Sequence, residues 1–116
     1  MHGLLGPSIF RGRATCRGIL YGAGSYPALV KSDGPNDRVV GEVYELQNPR
    51  EVIPILDEYE GFDEGNPSES LFLREQNHVE LESGEVVKVW LYYFNRPVDP
   101  LDRIEGGDFA TWVSGR

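Results

Sequence analysis

Residues 55–65, ILDEYEGFDEG, carry five carboxylates, Asp57, Glu58, Glu60, Asp63 and Glu64, directly after an apolar run. A carboxylate shielded from water has a raised pKa and can take up and return a proton near neutrality, which is general acid and base chemistry. On a helix, residues four apart share a face, so Val52, Leu56 and Glu60 line up while Asp57 and Glu58 are rotated off that row. Glu60 alone continues the apolar stripe, and it falls at the helix C-terminus, where the helix dipole disfavours a further negative charge. Both effects single out Glu60 as the candidate acid and base; the competing account is a frayed, solvated helix end. Glu58, Asp63 and Glu64 read as solvated charges, and Asp57 as a local cap or turn acceptor.

Other reactive residue types offer less. Cys16 is the lone cysteine, so an internal disulfide is excluded, a cysteine-based zinc site lacks ligands, and a small core filler on a strand is the simpler role. His2 and His78 are far apart and read as surface histidines, so no metal site is expected. The net charge of -8 and pI near 4.7 disfavour nucleic acid and anionic lipid as partners, because both need clustered Lys and Arg. No apolar stretch approaches the roughly 20 residues of a membrane span, and the run in MHGLLGPSIFRGR is too short for a secretory signal. A cytoplasmic chain without a membrane partner is the expectation.

The length of 116 residues suits one domain, residues 1–116. RATCRGILYG, YPALVKS, DRVVGEVYEL, SLFLREQNHVELES and EVVKVWLYYFN have strand-like alternation or β-branched character. The last two read as an antiparallel hairpin turning at Ser83-Gly84, and the apolar character of both faces of the second strand suggests a closed or two-layered sheet. Trp90 and Phe94 are most simply core. One helix is expected over NPREVIPILDEYEG, with Asn48 as N-cap, Glu51 completing a capping box and Gly61 as the stop. Its apolar stripe is Val52, Leu56 and Tyr59, widened by Ile55, and Pro54 could split it into two short turns. Residues 95–108 read as a loop.

GILYGAGSYPALV (18–30), VVGEVYEL (39–46), ILDEYEGF (55–62), FLREQNHVEL (72–81), VWLYYFN (89–95) and IEGGDF (104–109) stand in the order and spacing of a known family. In these blocks the chain resembles the gamma-glutamylcyclotransferase-like family, which includes the AIG2-like proteins, nearly end to end. The resemblance implies an α+β fold, a small mixed β-barrel with one short helix and a cavity. It also implies that Glu60, the last position of LDxxE, is the acid-base residue. The substrate would be a small gamma-glutamyl amine or peptide, cyclised to 5-oxoproline with release of the amine, and no metal or cofactor is required. By the same resemblance Gly24, Tyr26 and Pro27 lie near the cavity mouth, against the bland role of a strand connection. Arg74 could hold a substrate carboxylate or pair with an acidic neighbour, and Tyr92 could point its hydroxyl into the cavity, although alternation alone leaves its face open.

The chain departs from the family pattern in two places. It lacks the first strand and the YGTL-like loop that in relatives cradles the substrate, and Phe72 stands where many relatives carry Tyr. A missing strand would leave an open sheet edge that invites pairing with a second copy, a homodimer. The alternative to an enzyme is therefore a catalytically inactive small-ligand-binding or protein-interaction domain of the same fold.

Overall fold

RATCRGILYG divides at Gly18 into two strands that belong to different sheets, β1 (Ser8–Arg17) and β2 (Ile19–Ala23). The structure is a computed structural model and describes residues 8–23 and 26–108. The chain continues through β3 (Tyr26–Val30), β4 (Arg38–Leu46), helix α1 (Pro49–Glu60), a short 3-10 turn (Pro67–Glu69), β5 (Phe72–Leu81), β6 (Val86–Phe94) and β7 (Asp102–Arg103). A four-stranded sheet runs in the order β4-β1-β5-β6 and a three-stranded sheet in the order β3-β2-β7, with every pairing antiparallel. The class is α+β with one short α-helix, as expected. Among the described residues the strands form two sheets rather than a closed barrel.

Alternation along the strands decides what is inside. Ala14 and Cys16 from β1 and Val79 and Leu81 from β5 meet Leu20, Val39 and Ile104 in one buried cluster. Val87, Val89 and Leu91 of β6 pack against it, while Val86 and Trp90 on the other face are 60% and 45% exposed. Trp90 is thus not core. Cys16 is the small core filler its pattern suggested. The β5-β6 hairpin keeps register from Phe72↔Phe94 to Glu80↔Val86, with Ser83 and Gly84 at its tip.

Helix α1 is one continuous element despite Pro54. The proline removes the N–H that would bond the carbonyl of Arg50, four residues back, and Arg50 is exposed, so water can take that acceptor's place. The capping box does not form: Asn48 makes no side-chain cap, and its backbone carbonyl instead accepts from the N–H groups of Glu51 and Val52 at 3.1 and 3.0 Å. Only Val52 and Leu56 are buried, against Tyr44, Leu46, Ile53 and Tyr92. Ile55 and Tyr59, expected on the stripe, are exposed, because the helix meets the sheet along a narrow line.

The expected loop over residues 95–108 contains β7, which pairs with β2 through Tyr21↔Arg103 and Gly22↔Asp102. Ile104 is 3% exposed, and its N–H donates to the Leu20 carbonyl at 2.8 Å. Three residues on, the Gly107 carbonyl accepts from Val40 N–H at 2.8 Å. Gly107 has φ +67°, and a Cβ there would collide with the Arg38 carbonyl oxygen. This stretch therefore joins both sheets. Among the described residues no helix is long and apolar enough to cross a membrane.

Candidate active site at the end of the helix

The sequence LDEYEGF stops the helix in a way that fixes where Glu60 sits. Gly61 adopts the left-handed conformation, φ 71°, its N–H donates to the Glu58 carbonyl at 3.2 Å, and Phe62 N–H donates to the Asp57 carbonyl at 2.8 Å. This is the Schellman closure, in which two otherwise orphaned carbonyls are satisfied by the two residues after the helix. The Gly61 carbonyl then accepts from Leu71 N–H at 2.9 Å, holding the helix end against the segment that enters β5.

Asp57 is the hub of the polar contacts here. One of its carboxylate oxygens accepts from Arg74 Nε at 2.8 Å and from the Tyr92 hydroxyl at 2.6 Å. Arg74 and Tyr92 are directly paired on β5 and β6, so both side chains leave the same sheet face toward α1. The Arg74 guanidinium lies 4.5 Å from the centre of the Trp90 ring and 5.5 Å from that of Phe62, and its side chain is only 11% exposed. Flat cation and rings stack well, and the low exposure strengthens the ion pair relative to a surface one. A second carboxylate, Glu64, stands 3.8 Å from Nη2.

Glu60 differs from these neighbours. It is half-buried, and burial pushes its carboxyl above the usual glutamate range. Among the described residues its carboxylate has neither hydrogen bond nor ion pair, and the last helical turn holds no basic residue. Its charge nevertheless reaches Tyr92, whose hydroxyl is pushed strongly upward by burial first, then by the bond to Asp57, with smaller contributions from both carboxylates. Tyr92 is accordingly a fixed donor to Asp57. The difference is physical: Asp57 is ion-paired to Arg74 and hydrogen-bonded by Tyr92, whereas Glu60 is desolvated and uncommitted, the state that suits proton transfer.

The remaining expected site residues are placed as follows. Tyr26 and Pro27 open β3 opposite Ala23 and Gly22, and both are exposed. The Tyr26 ring lies 6.1 Å from Phe72, which in turn lies 5.4 Å from Phe94, the row beside Arg74 and Tyr92. No described contact joins Tyr26 or Pro27 to Glu60. Gly24 lies outside the described residues. Arg74 meets an acidic neighbour, one of the two roles its type allowed. Two open clefts, of about 440 and 320 Å³, lie along β1 and β5 and include neither Glu60 nor its neighbours.

The offset of Asp57 from the 52-56-60 row hides its role in the sequence. Residues three apart are also neighbours, so Asp57 lies only about 60° around the helix from Glu60. Trp90 and Phe62 were hidden differently, since their role depends on Arg74 arriving from another strand, which no local pattern reveals.

Comparisons with known proteins agree with this architecture. The family model described as "Gamma-glutamyl cyclotransferase, AIG2-like" matches residues 1–111. A crystal structure of an uncharacterized protein from Pyrococcus horikoshii aligns with TM-score 0.64 at 22% identity, covering 99% of this chain and 82% of that one, a likeness of fold. YkqA from Bacillus subtilis aligns with TM-score 0.71 at 26% identity over 98% of this chain, which spans only 36% of YkqA. The solution structure of ytfP from Escherichia coli gives TM-score 0.62 and 28% identity, covering 90% of this chain and 80% of that one. Among curated proteins no match is found.

Proposed function

The chain belongs to the AIG2-like gamma-glutamyl cyclotransferase family, and from that premise we propose that it cyclises a gamma-glutamyl amine or peptide to 5-oxoproline, with Glu60 as the acid and base. The observation that carries the reading is the half-buried, unpartnered Glu60 carboxylate beside a carboxylate, Asp57, already committed to Arg74 and Tyr92. In such a substrate the α-nitrogen lies within reach of the side-chain carbonyl carbon of the same residue. Its attack forms the ring C–N bond, and collapse of the tetrahedral intermediate breaks the bond to the departing nitrogen. The α-ammonium sheds two protons on becoming the ring amide: Glu60 takes one and gives it to the departing nitrogen, and the second passes to solvent or to the released amine, so the enzyme ends in its starting protonation state. Because the reaction is intramolecular, positioning contributes more than a protein nucleophile would.

In this reading Tyr92 and Arg74 border the substrate beside Glu60, with Tyr26 and Pro27 on a second side, and Gly24 is a further proposed contact. Backbone N–H groups stabilise the oxyanion of the intermediate. The test is incubation of the purified chain with a panel of gamma-glutamyl amino acids, dipeptides and amines, followed by detection of 5-oxoproline. A folded sample that releases none from any substrate overturns the proposal and leaves a ligand-binding domain of the same fold.

A further inference from the structure

Four basic residues fall in one row across the four-stranded sheet. Arg38 of β4 is paired with Arg17 of β1, and His78 of β5 is paired with Lys88 of β6. β1 and β5 pair at Ala14↔Leu81 and Thr15↔Glu80, and Arg17 and His78, two residues further along each strand, flank the opening that follows. Beyond Thr15↔Glu80 the two strands part, and a cleft of about 320 Å³ opens there, lined by Arg17, Arg38, Asn77, His78 and Cys16 among others. All four basic residues are exposed.

Two features of this row run against what stability alone would select. Like charges directly opposite on an antiparallel pair repel, and Arg17 and Arg38 are such a pair. The chain also has carboxylates to spare, at a net charge of -8. Arg11, Arg13, Lys31, Arg74 and Arg103 each pair with one, and Arg96 bonds backbone carbonyls. The side chains of Arg17, Arg38, Lys88 and Arg50 have no hydrogen bond or ion pair among the described residues, and three of these four stand in the one row. Glu80 is the carboxylate nearest along the same face and also lines the cleft. In the cleft itself Arg17 and Arg38 against this one carboxylate leave a local excess of one positive charge in an acidic protein. Arg38 makes its presence felt inside the cleft: burial pushes the Cys16 thiol up, and the Arg38 charge opposes that rise.

We propose that this cleft is a binding site for a small dianion, a phosphoryl group or a dicarboxylate, held by Arg17 and Arg38. Two guanidinium forks on adjacent strands suit bidentate contacts to planar or tetrahedral oxyanions. The row is four residues along β6 from Tyr92, about 13 Å at the usual strand rise, so the site is separate from the helix end and does not depend on the proposed cyclotransferase reaction.

The test is a titration of the labelled chain with inorganic phosphate and, separately, with succinate, followed by backbone amide shifts against sodium chloride at equal ionic strength. Saturating shifts confined to the amides of residues 15–17, 38 and 77–78 are expected, and the dianion that produces them identifies the chemistry. Arg17→Gln and Arg38→Gln should each weaken binding about tenfold, the scale of one charge-assisted contact. Glu80→Gln should tighten it, and Arg50→Gln should change nothing. Because Arg17→Gln also removes the repulsion across β1 and β4, it should melt higher than the parent while binding less. A row that only tolerates its charges would show no saturation with either dianion, or would give Arg17→Gln and Arg38→Gln the same affinity as the parent, and either result overturns the proposal.

Discussion

At the scale of the residue, Glu60→Gln is the most informative change. It keeps shape and much of the hydrogen-bonding capacity while removing the ability to take a proton, so turnover should fall by about 10²–10⁴-fold with substrate binding retained. Glu58→Gln, on an exposed position, should leave the rate nearly unchanged. Steady-state kinetics on both variants separate the two carboxylates. The raised pKa of Glu60 also sets a pH signature: the acid limb of the rate profile should lie above the ordinary glutamate value of about 4.3. Its sign in stability is the reverse of a salt-bridged acid. A carboxyl whose folded pKa exceeds its unfolded one favours the fold while protonated and loses that contribution as pH rises through the folded value. Glu60→Gln should therefore melt higher than the parent near neutrality, with the gain vanishing in acid. Asp57→Ala leaves the Arg74 guanidinium and Tyr92 hydroxyl, both mostly buried, without their acceptor, and a loss of about 1–3 kcal/mol is expected from chemical denaturation.

At the scale of the element, the helix stop controls the site. Gly61→Ala forces a Cβ into the left-handed region, where it would also stand 3.2 Å from the Leu71 Cβ. The conformational cost alone is about 1–2 kcal/mol, and a lower denaturation midpoint together with reduced turnover is the expected outcome, since Glu60 is the residue just before the turn. This stop was legible in EGF, as were the strands and the α1 span, because alternation and capping residues are local signals. The division at Gly18 was not, because both halves of RATCRGILYG alternate in the same way and only pairing partners distinguish them. The two-residue β7 was hidden in a Pro, Gly and Asp-rich stretch for the same reason: its strand character comes from β2, not from its own side chains. The half-burial of Glu60 was legible from its place on the apolar row. Asp57, the better-connected acid, was missed because its partners arrive from β5 and β6.

At the scale of the whole molecule, the two sheets are tied by the stretch from Ile104 to Gly107, which bonds β2 at one end and β4 at the other. Gly107→Ala meets two obstacles at once, a positive φ and the Arg38 carbonyl oxygen in the path of the new methyl. Its loss of stability in urea should exceed that of Gly61→Ala, where the nearest atom, the Leu71 Cβ at 3.2 Å, is tight rather than in direct collision. The same tie has a consequence in time. β2 finds its partner β7 only when residues 21 and 22 meet 103 and 102, and β1 must wait for residues 80 and 81 before the four-stranded sheet joins up. Closing such long loops comes before any reward from contact, so such topologies fold in milliseconds to seconds rather than microseconds. On a ribosome, the hairpin of β5 and β6 can assemble as soon as it emerges. The three-stranded sheet stays incomplete until the chain has been made past Arg103, leaving β2 and β3 without their third strand throughout most of synthesis.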